Sequence, residues 1–529
     1  MYSIIYLMAL YCLFYHAIKE AYTLFGTSFQ NKSQRDANCK GGKLLQKYLS
    51  LLQTHPFRVS FFTLLAIYAP LAIISYPGLF KWDLDQQILQ AFPELQAGLS
   101  SYTVGHQIDS DVYLCNHHPI AHTMLVHCCI RIGLCLLHNG NIGVYLFTLL
   151  QFASILCAIA YAMQVAVNKA CVPSRVCACL LAFMALFPRV QSFVFLITKD
   201  VPYAAALLTF IAAGYTLAVR PGNWKHEKKA LCLFIISAVA TISFRNEGIY
   251  VITPFLLLCA CFLKNIRKSA CAALIVIFFS TFIKNASLEY YHVNPGSIRE
   301  TLCLPLQQTA RYVVTYPAEV TEEEKRAINQ VIPYEEIAHK YNIDSADPIK
   351  DSWREHQVSA QDTKDYLRAW FHMFAKHPLC YIEATFINHY LTFYPGRKIT
   401  TCPDAYESVH CMDLISQKTR MAGFEFHHPP VLLKQLQRYI MIREKVYGCI
   451  SILASAAIYT WIAIFLIAYF IWKRNPTALA FLTLPGCVTV ICILGPLNAD
   501  YGRYIFPLIL TEPFLVLYLK QIPNTPKTK

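Results

Sequence analysis

The chain has 529 residues, of which 56% are hydrophobic and 15% charged, with mean hydropathy +0.38 and a charge balance of 46 − 32 = +14. Soluble chains carry roughly a quarter charged residues, so this composition excludes a soluble enzyme and points to an all-α polytopic membrane protein. The basic excess sits in linkers between apolar runs, where it marks cytoplasmic loops rather than a nucleic-acid surface.

A span needs roughly 20 mainly apolar residues. About 11 transmembrane helices are expected, over 2–18, 57–77, 142–166, 175–196, 201–219, 231–246, 249–264, 269–287, 447–472, 477–496 and 504–520. The N-terminal run lacks a basic start and a small-residue cleavage site, so it reads as a retained helix rather than a signal peptide. Basic residues in 19–56, Lys169–Arg175, Arg220–Lys229, Lys264–Lys268, Lys473–Arg474 and the tail Lys520–Lys529 place those segments in the cytoplasm. The loop 78–118 is acidic (Asp83, Asp85, Glu94, Asp109 and Asp111 against Lys81) and belongs outside.

Residues 119–138 are apolar but contain His122, His127 and Arg131. Counting them as a crossing would put Lys169 and Arg175 outside, so they read as an amphipathic or half-buried helix on the outer side. Residues 288–446 have ordinary polarity and read as an external, mostly helical domain. The layout is therefore an N-terminal helix and basic segment (1–56), a transmembrane core (57–287), the external domain (288–446) and C-terminal helices with a basic tail (447–529). No internal repeat of the kind that marks many transporters is visible. Of the 21 Cys, many lie within apolar runs as small hydrophobes, and Cys402 and Cys411 flank a short external stretch that a local disulfide could close.

Polar clusters recur at the ends that this topology places outside. Asp83 and Asp85 follow Tyr76-Pro77-Gly78 just past a span; they either cap the next helix or supply a general base or a ligand for a divalent cation. His117, His118 and His122 lie within Asn116–Thr123, without the acid of a zinc-peptidase H-E-x-x-H; they are packing residues or hydrogen-bonding groups for a polar substrate. Lys199 and Asp200 are an interfacial ion pair or a site for phosphate and a metal or sugar hydroxyl. Arg245 ends an apolar run, where an ionisable group is costly unless it snorkels or serves function. Gln307, Gln308 and Arg311 open the external domain. Arg503, beside Tyr501 and Tyr504, is an anchor or a phosphate ligand.

All these clusters fall on one side, an arrangement that suits chemistry on a lipid-linked phosphate. In order, the stretches Tyr76-Pro77-Gly78 with Asp83, Asn116-His117-His118-Pro119 with His122-Thr123, Thr198-Lys199-Asp200, Arg245-Asn246 with Gly248, Pro305–Gln308 with Arg311, and Arg503-Tyr504 resemble a family of uncharacterised bacterial membrane proteins. That family is similar to the GT-C superfamily of integral-membrane glycosyltransferases. The resemblance implies a GT-C-like bundle, a polyprenyl-phosphate-linked sugar donor, and transfer to a cell-envelope glycan, lipid or protein acceptor at the outer face of the plasma membrane. It puts the catalytic carboxylate at Asp83, with Asp85 second. A divalent cation on Asp83, Asp85 and Asp200 stays an open option, since GT-C enzymes work with and without one. The competing expectations are a transporter or flippase of lipid-linked saccharide, and a non-catalytic assembly partner.

Overall fold

The protein is described by a computed structural model over residues 15–26, 42–92, 94–95, 114–219, 227–355, 357–395, 405–495 and 502–522. Most of the first expected span, the acids Asp109 and Asp111, Cys402 and the stretch 498–500 lie outside these residues. Among the described residues the chain is helical throughout, with two isolated β-bridges and no strand.

Among the described residues six helices are long and apolar enough to cross a membrane: Pro56–Ile74, Ile120–Leu137, Gly140–Asn168, Asp200–Val219, Arg267–Tyr290 and Pro476–Leu494. The pair Ser174–Leu186 and Pro188–Phe195 is apolar and long enough only when taken together, and is bent by 57°, as in a broken span or a re-entrant loop. Pro188, which cannot donate to the helix ladder, sits at that break. Gly248–Phe262, Ala456–Trp472 and Phe506–Leu519 are apolar but shorter. At 1.5 Å per residue, the 14 residues of Phe506–Leu519 reach about 21 Å, short of a hydrocarbon core of about 30 Å.

Helix Asp200–Val219 is buried on nearly every side and forms the centre of the bundle, as an all-round apolar helix must. Its neighbours pack on it through stacked rings such as Phe210 on Phe234, with centroids 4.5 Å apart. Helix Arg267–Tyr290 is the opposite case, with Phe278, Phe279, Phe282 and Ile283 all more than half exposed. Such a continuous apolar surface cannot stay in water and marks contact with lipid.

Two smaller cores adjoin the bundle. One gathers Leu84 and Ile88 of helix Trp82–Leu89, Val126 and Ile130 of helix Ile120–Leu137, Phe147, and Met412 and Ile415 of helix Ala405–Thr419. Although Ile120–Leu137 is apolar enough to span, its buried face belongs to this cluster. The helix folds back on the next one across His138 and Asn139, with Gly133 against Gly143: a Cβ on Gly133 would lie 2.4 Å from the Gly143 nitrogen. The other core joins helices Cys303–Thr315, Glu322–Val331, Ala360–Lys376 and Pro378–Asn388 around Leu306, Ile328, Tyr366 and Tyr381. Capping boxes start two of these helices, Thr321 with Glu324 and Ser359 with Asp362, as their S/T-x-x-E/D patterns require.

Candidate functional site

Two backbone bridges assemble the site. Leu79 pairs in parallel with Leu196: Leu79 N–H donates to Phe195 O and Ile197 N–H to Leu79 O, both at 2.9 Å. The chain comes this close because residue 78 is glycine. Its φ is +142°, and a Cβ would fall 2.5 Å from Thr148 Oγ1 and 2.7 Å from Ile197. The bridge sets the segment entering helix Trp82–Leu89 beside the one entering helix Asp200–Val219, so Asp83 meets Lys199. The second bridge, Cys115 with Asn294, is held by Asn116 N–H on Asn294 O at 2.7 Å, and Asn246 Nδ2 donates to Asn116 O at 2.9 Å. It fixes the His117-His118 turn over the same place.

Asp83 is the focus. Its Oδ2 accepts from Arg503 Nη1 at 2.7 Å, and Lys199 Nζ and His118 Nδ1 each stand 3.9 Å away. Burial alone would raise the Asp83 carboxyl, but the Arg503 guanidinium and the Lys199 ammonium outweigh it and hold it well below the usual carboxylate range. Lys199 Nζ also lies 3.1 Å from His118 Nδ1. An ammonium has only donors, so Nδ1 accepts and the ring proton sits on Nε2. That Nε2 is buried with no hydrogen-bond partner among the described residues. Burial, reinforced by Lys199, keeps His118 neutral, and the same pair of causes pulls His117 down to about 4. The site therefore presents two cationic donors, one neutral imidazole donor and one carboxylate.

A second cluster lies alongside. Arg245 Nη1 is 3.2 Å from Asp200 Oδ1 and its Nε 3.3 Å from Glu247 Oε2, with Thr198 Oγ1 donating to Asp200 Oδ2 at 3.0 Å. Tyr504 joins the clusters, because the guanidinium carbons of both Arg245 and Arg503 lie 4.9 Å from its ring centroid. Arg503 Nη2 also bonds the Tyr504 hydroxyl at 3.1 Å.

The other residues singled out in the sequence fall elsewhere. Asp83 and Asp85 are two positions apart on a helix, so they project about 200° from one another. Asp85 turns to Lys418 of helix Ala405–Thr419, at 2.7 Å. The acids therefore do not converge as a ligand pair, and among the described residues no group of three or more His, Cys, Asp or Glu has metal-site geometry. His122 Nδ1 meets Gln87 Oε1 at 3.1 Å, beneath the His117-His118 turn. Gln307 donates to Asn342 O at 2.7 Å, Gln308 bridges Trp370 and Thr385, and Arg311 lies 3.6 Å from Glu383. Those contacts hold the separate helical core together.

Two buried polar residues stand beyond those singled out in the sequence. Gln87 is unremarkable without knowledge of its neighbour. Glu512 lies within the final apolar helix, where a carboxyl is itself a flag; it is 2% exposed and neither oxygen has a partner among the described residues.

The chain belongs to a family of unknown function, DUF6020, whose model matches residues 3–528. No curated protein and no solved structure matches it.

Proposed function

We propose that this member of a family of unknown function is an integral-membrane glycosyltransferase of GT-C-like architecture. It would transfer a sugar from a polyprenyl-phosphate donor to a glycan, lipid or protein acceptor on the extracytoplasmic side of the plasma membrane. In this reading the crossings are the eleven segments expected from the sequence, helix Ile120–Leu137 lies on the outer side, and the basic linkers face the cytoplasm. The observation that carries the proposal is one carboxylate, Asp83, set against Arg503, Lys199 and His118 from distant segments.

The chemistry follows from these charges. The acceptor oxygen attacks the anomeric carbon while the bond from that carbon to the phosphate oxygen breaks, and the lipid phosphate leaves with the electron pair. The acceptor proton goes to Asp83 as general base. Arg503 and Lys199 stabilise the charge growing on phosphate, which is where fixed cations in a dehydrated site act most strongly. With Arg503 bound to it, Asp83 is a weak base. A donor phosphate that draws Arg503 and Lys199 to itself restores proton affinity to Asp83, so the base strengthens when donor is present. His118 Nε2–H is a free donor for a sugar hydroxyl or a phosphate oxygen.

A groove of about 250 Å³ supports a lipid-linked donor. Leu125, Phe147, Gln151, Pro202, Ala206 and Phe244 are among its lining residues, and Pro202 and Phe244 adjoin Asp200 and Arg245 in sequence. An apolar chain lying there would hold its phosphate near the cationic groups.

The test is transfer of labelled sugar from a polyprenyl-phosphate donor in proteoliposomes, comparing wild type with Asp83→Asn. Loss of transfer with donor binding retained supports the proposal; equal transfer by the variant refutes it. Glu512 favours a second reading, a proton-coupled transporter or flippase of lipid-linked saccharide, because an unpartnered intramembrane carboxyl suits proton binding. That reading gains if Glu512→Gln abolishes movement of the lipid between leaflets while Asp83→Asn leaves it unchanged.

A further inference from the structure

At the end of the bundle opposite Asp83 lies a cavity of about 690 Å³ between helix 15–26 and the end of helix Ala456–Trp472. Tyr15, Ile18, Lys19, Tyr22, Trp472 and Lys473 line it, with no acidic residue among the described ones.

Its walls are fixed by aromatic packing. Tyr22 stacks on Trp472 with centroids 5.8 Å apart and 19° between the planes, and meets Phe465 and Tyr469 edge-on at 4.9 and 5.1 Å. Phe25 continues the seam against Tyr469 at 5.0 Å and Phe470 at 6.0 Å. Offset and edge-to-face contacts of this kind add to simple area burial and hold this wall of the cavity in place. Lys473 Nζ is held 4.1 Å from the Trp472 ring centroid, beside the opening. Neither Lys19 nor Lys473 pairs with a carboxylate among the described residues.

Charge and position together identify the occupant. Trp472 is 62% exposed at the end of an apolar helix, which is where tryptophan meets lipid headgroups. A hollow with two ammonium groups that meet no carboxylate among the described residues, lined also by Ile18 and the Tyr15 ring, matches a phosphate diester carrying acyl chains. Basic hollows between helices at a membrane surface bind anionic headgroups in this manner. We propose that the cavity is a binding site for one anionic phospholipid, its phosphate on Lys19 and Lys473 and its chains along helix 15–26. This site is separate from the Asp83 cluster and does not depend on the glycosyltransferase reading.

The test uses the full-length protein in detergent, exposed to phosphatidylglycerol, phosphatidylcholine or glycerol phosphate. Native mass spectrometry counts retained lipid and a thermal shift reports protection. Wild type should keep one phosphatidylglycerol in preference to phosphatidylcholine, and glycerol phosphate should give no protection. Lys19→Gln with Lys473→Gln should weaken retention roughly thirtyfold, whereas Lys19→Arg with Lys473→Arg should keep it. Asp83→Asn should bind the lipid as wild type does. Equal retention of the two lipids by wild type overturns the proposal, a comparison that needs no variant to fold. Unchanged retention in the double Gln variant also overturns it, and equal protection by glycerol phosphate makes this a soluble-anion site instead.

Discussion

Asp83 shows what a single position can be asked to do. A general base contributes typically 10²–10⁴-fold, so Asp83→Asn should cut sugar transfer about 1000-fold, read as initial rates in proteoliposomes per folded protein, and should also lower the thermal midpoint, because Arg503 and Lys199 lose their carboxylate partner. His118→Asn, which removes the Nε2–H donor, should reduce transfer about tenfold and leave Asp83 ionised. The neighbouring imidazole gives a pH signature. His117 titrates near 4 in the folded protein against 6.5 in the free side chain, because burial and then Lys199 oppose its charge. The unfolded chain therefore binds more protons between those values, and stability falls as pH drops from 6.5 toward 4. For Asp83 the folded value is depressed from 3.8, so its contribution is present above that pH and is lost only below it. Thermal midpoints recorded from pH 7 to 4 should decline, and more shallowly in His117→Asn. Parallel curves for the two proteins would refute the assignment.

At the scale of the element, short contacts between backbones decide more than helix propensity does. The turn between Ile120–Leu137 and Gly140–Asn168 closes because Gly133 and Gly143 bring two helices to within a distance that excludes any Cβ. Gly133→Ala should therefore separate this pair and cost about 2–4 kcal/mol, seen as a lower thermal midpoint in detergent. Because the same hairpin supports Phe147 and His122, transfer should fall with it; a midpoint equal to wild type would show that the helices are not so closely packed. The acidic doublet teaches a related lesson. Asp83 and Asp85 read along the sequence as an equivalent pair, yet helix Trp82–Leu89 turns one to Arg503 and the other to Lys418. The pairing was not legible, because it depends on those residues being helical from Trp82 onward. Gln307, Gln308 and Arg311 were singled out beside the others in the sequence, but their helix spends them on contacts within its own core.

At the scale of the whole molecule, the proposed extracytoplasmic site makes a directional claim. With the basic linkers inside, a reporter fused after Lys529 should be active only in its cytoplasmic form. An epitope inserted in the turn before helix Glu322–Val331 should be reached by antibody on intact cells. An epitope accessible only after permeabilisation would place Asp83 on the cytoplasmic side and remove the basis for extracytoplasmic transfer. The amino-acid sequence by itself determined that the chain is helical and membrane-embedded. Apolar side chains in runs of 20, and the cost of unpaired backbone in lipid, leave no other solution. It also located the costly polar residues, since charges beside apolar runs stand out wherever they fall. Only tertiary structure decided which of them meet. Arg503 reaches Asp83 across 420 positions of chain, while two backbone bridges and a glycine too tightly enclosed to carry a side chain bring Lys199 and His118 to the same carboxylate. Ion pairing at such separation depends on ångström-level packing of the whole bundle, and no local pattern of residues encodes that distance.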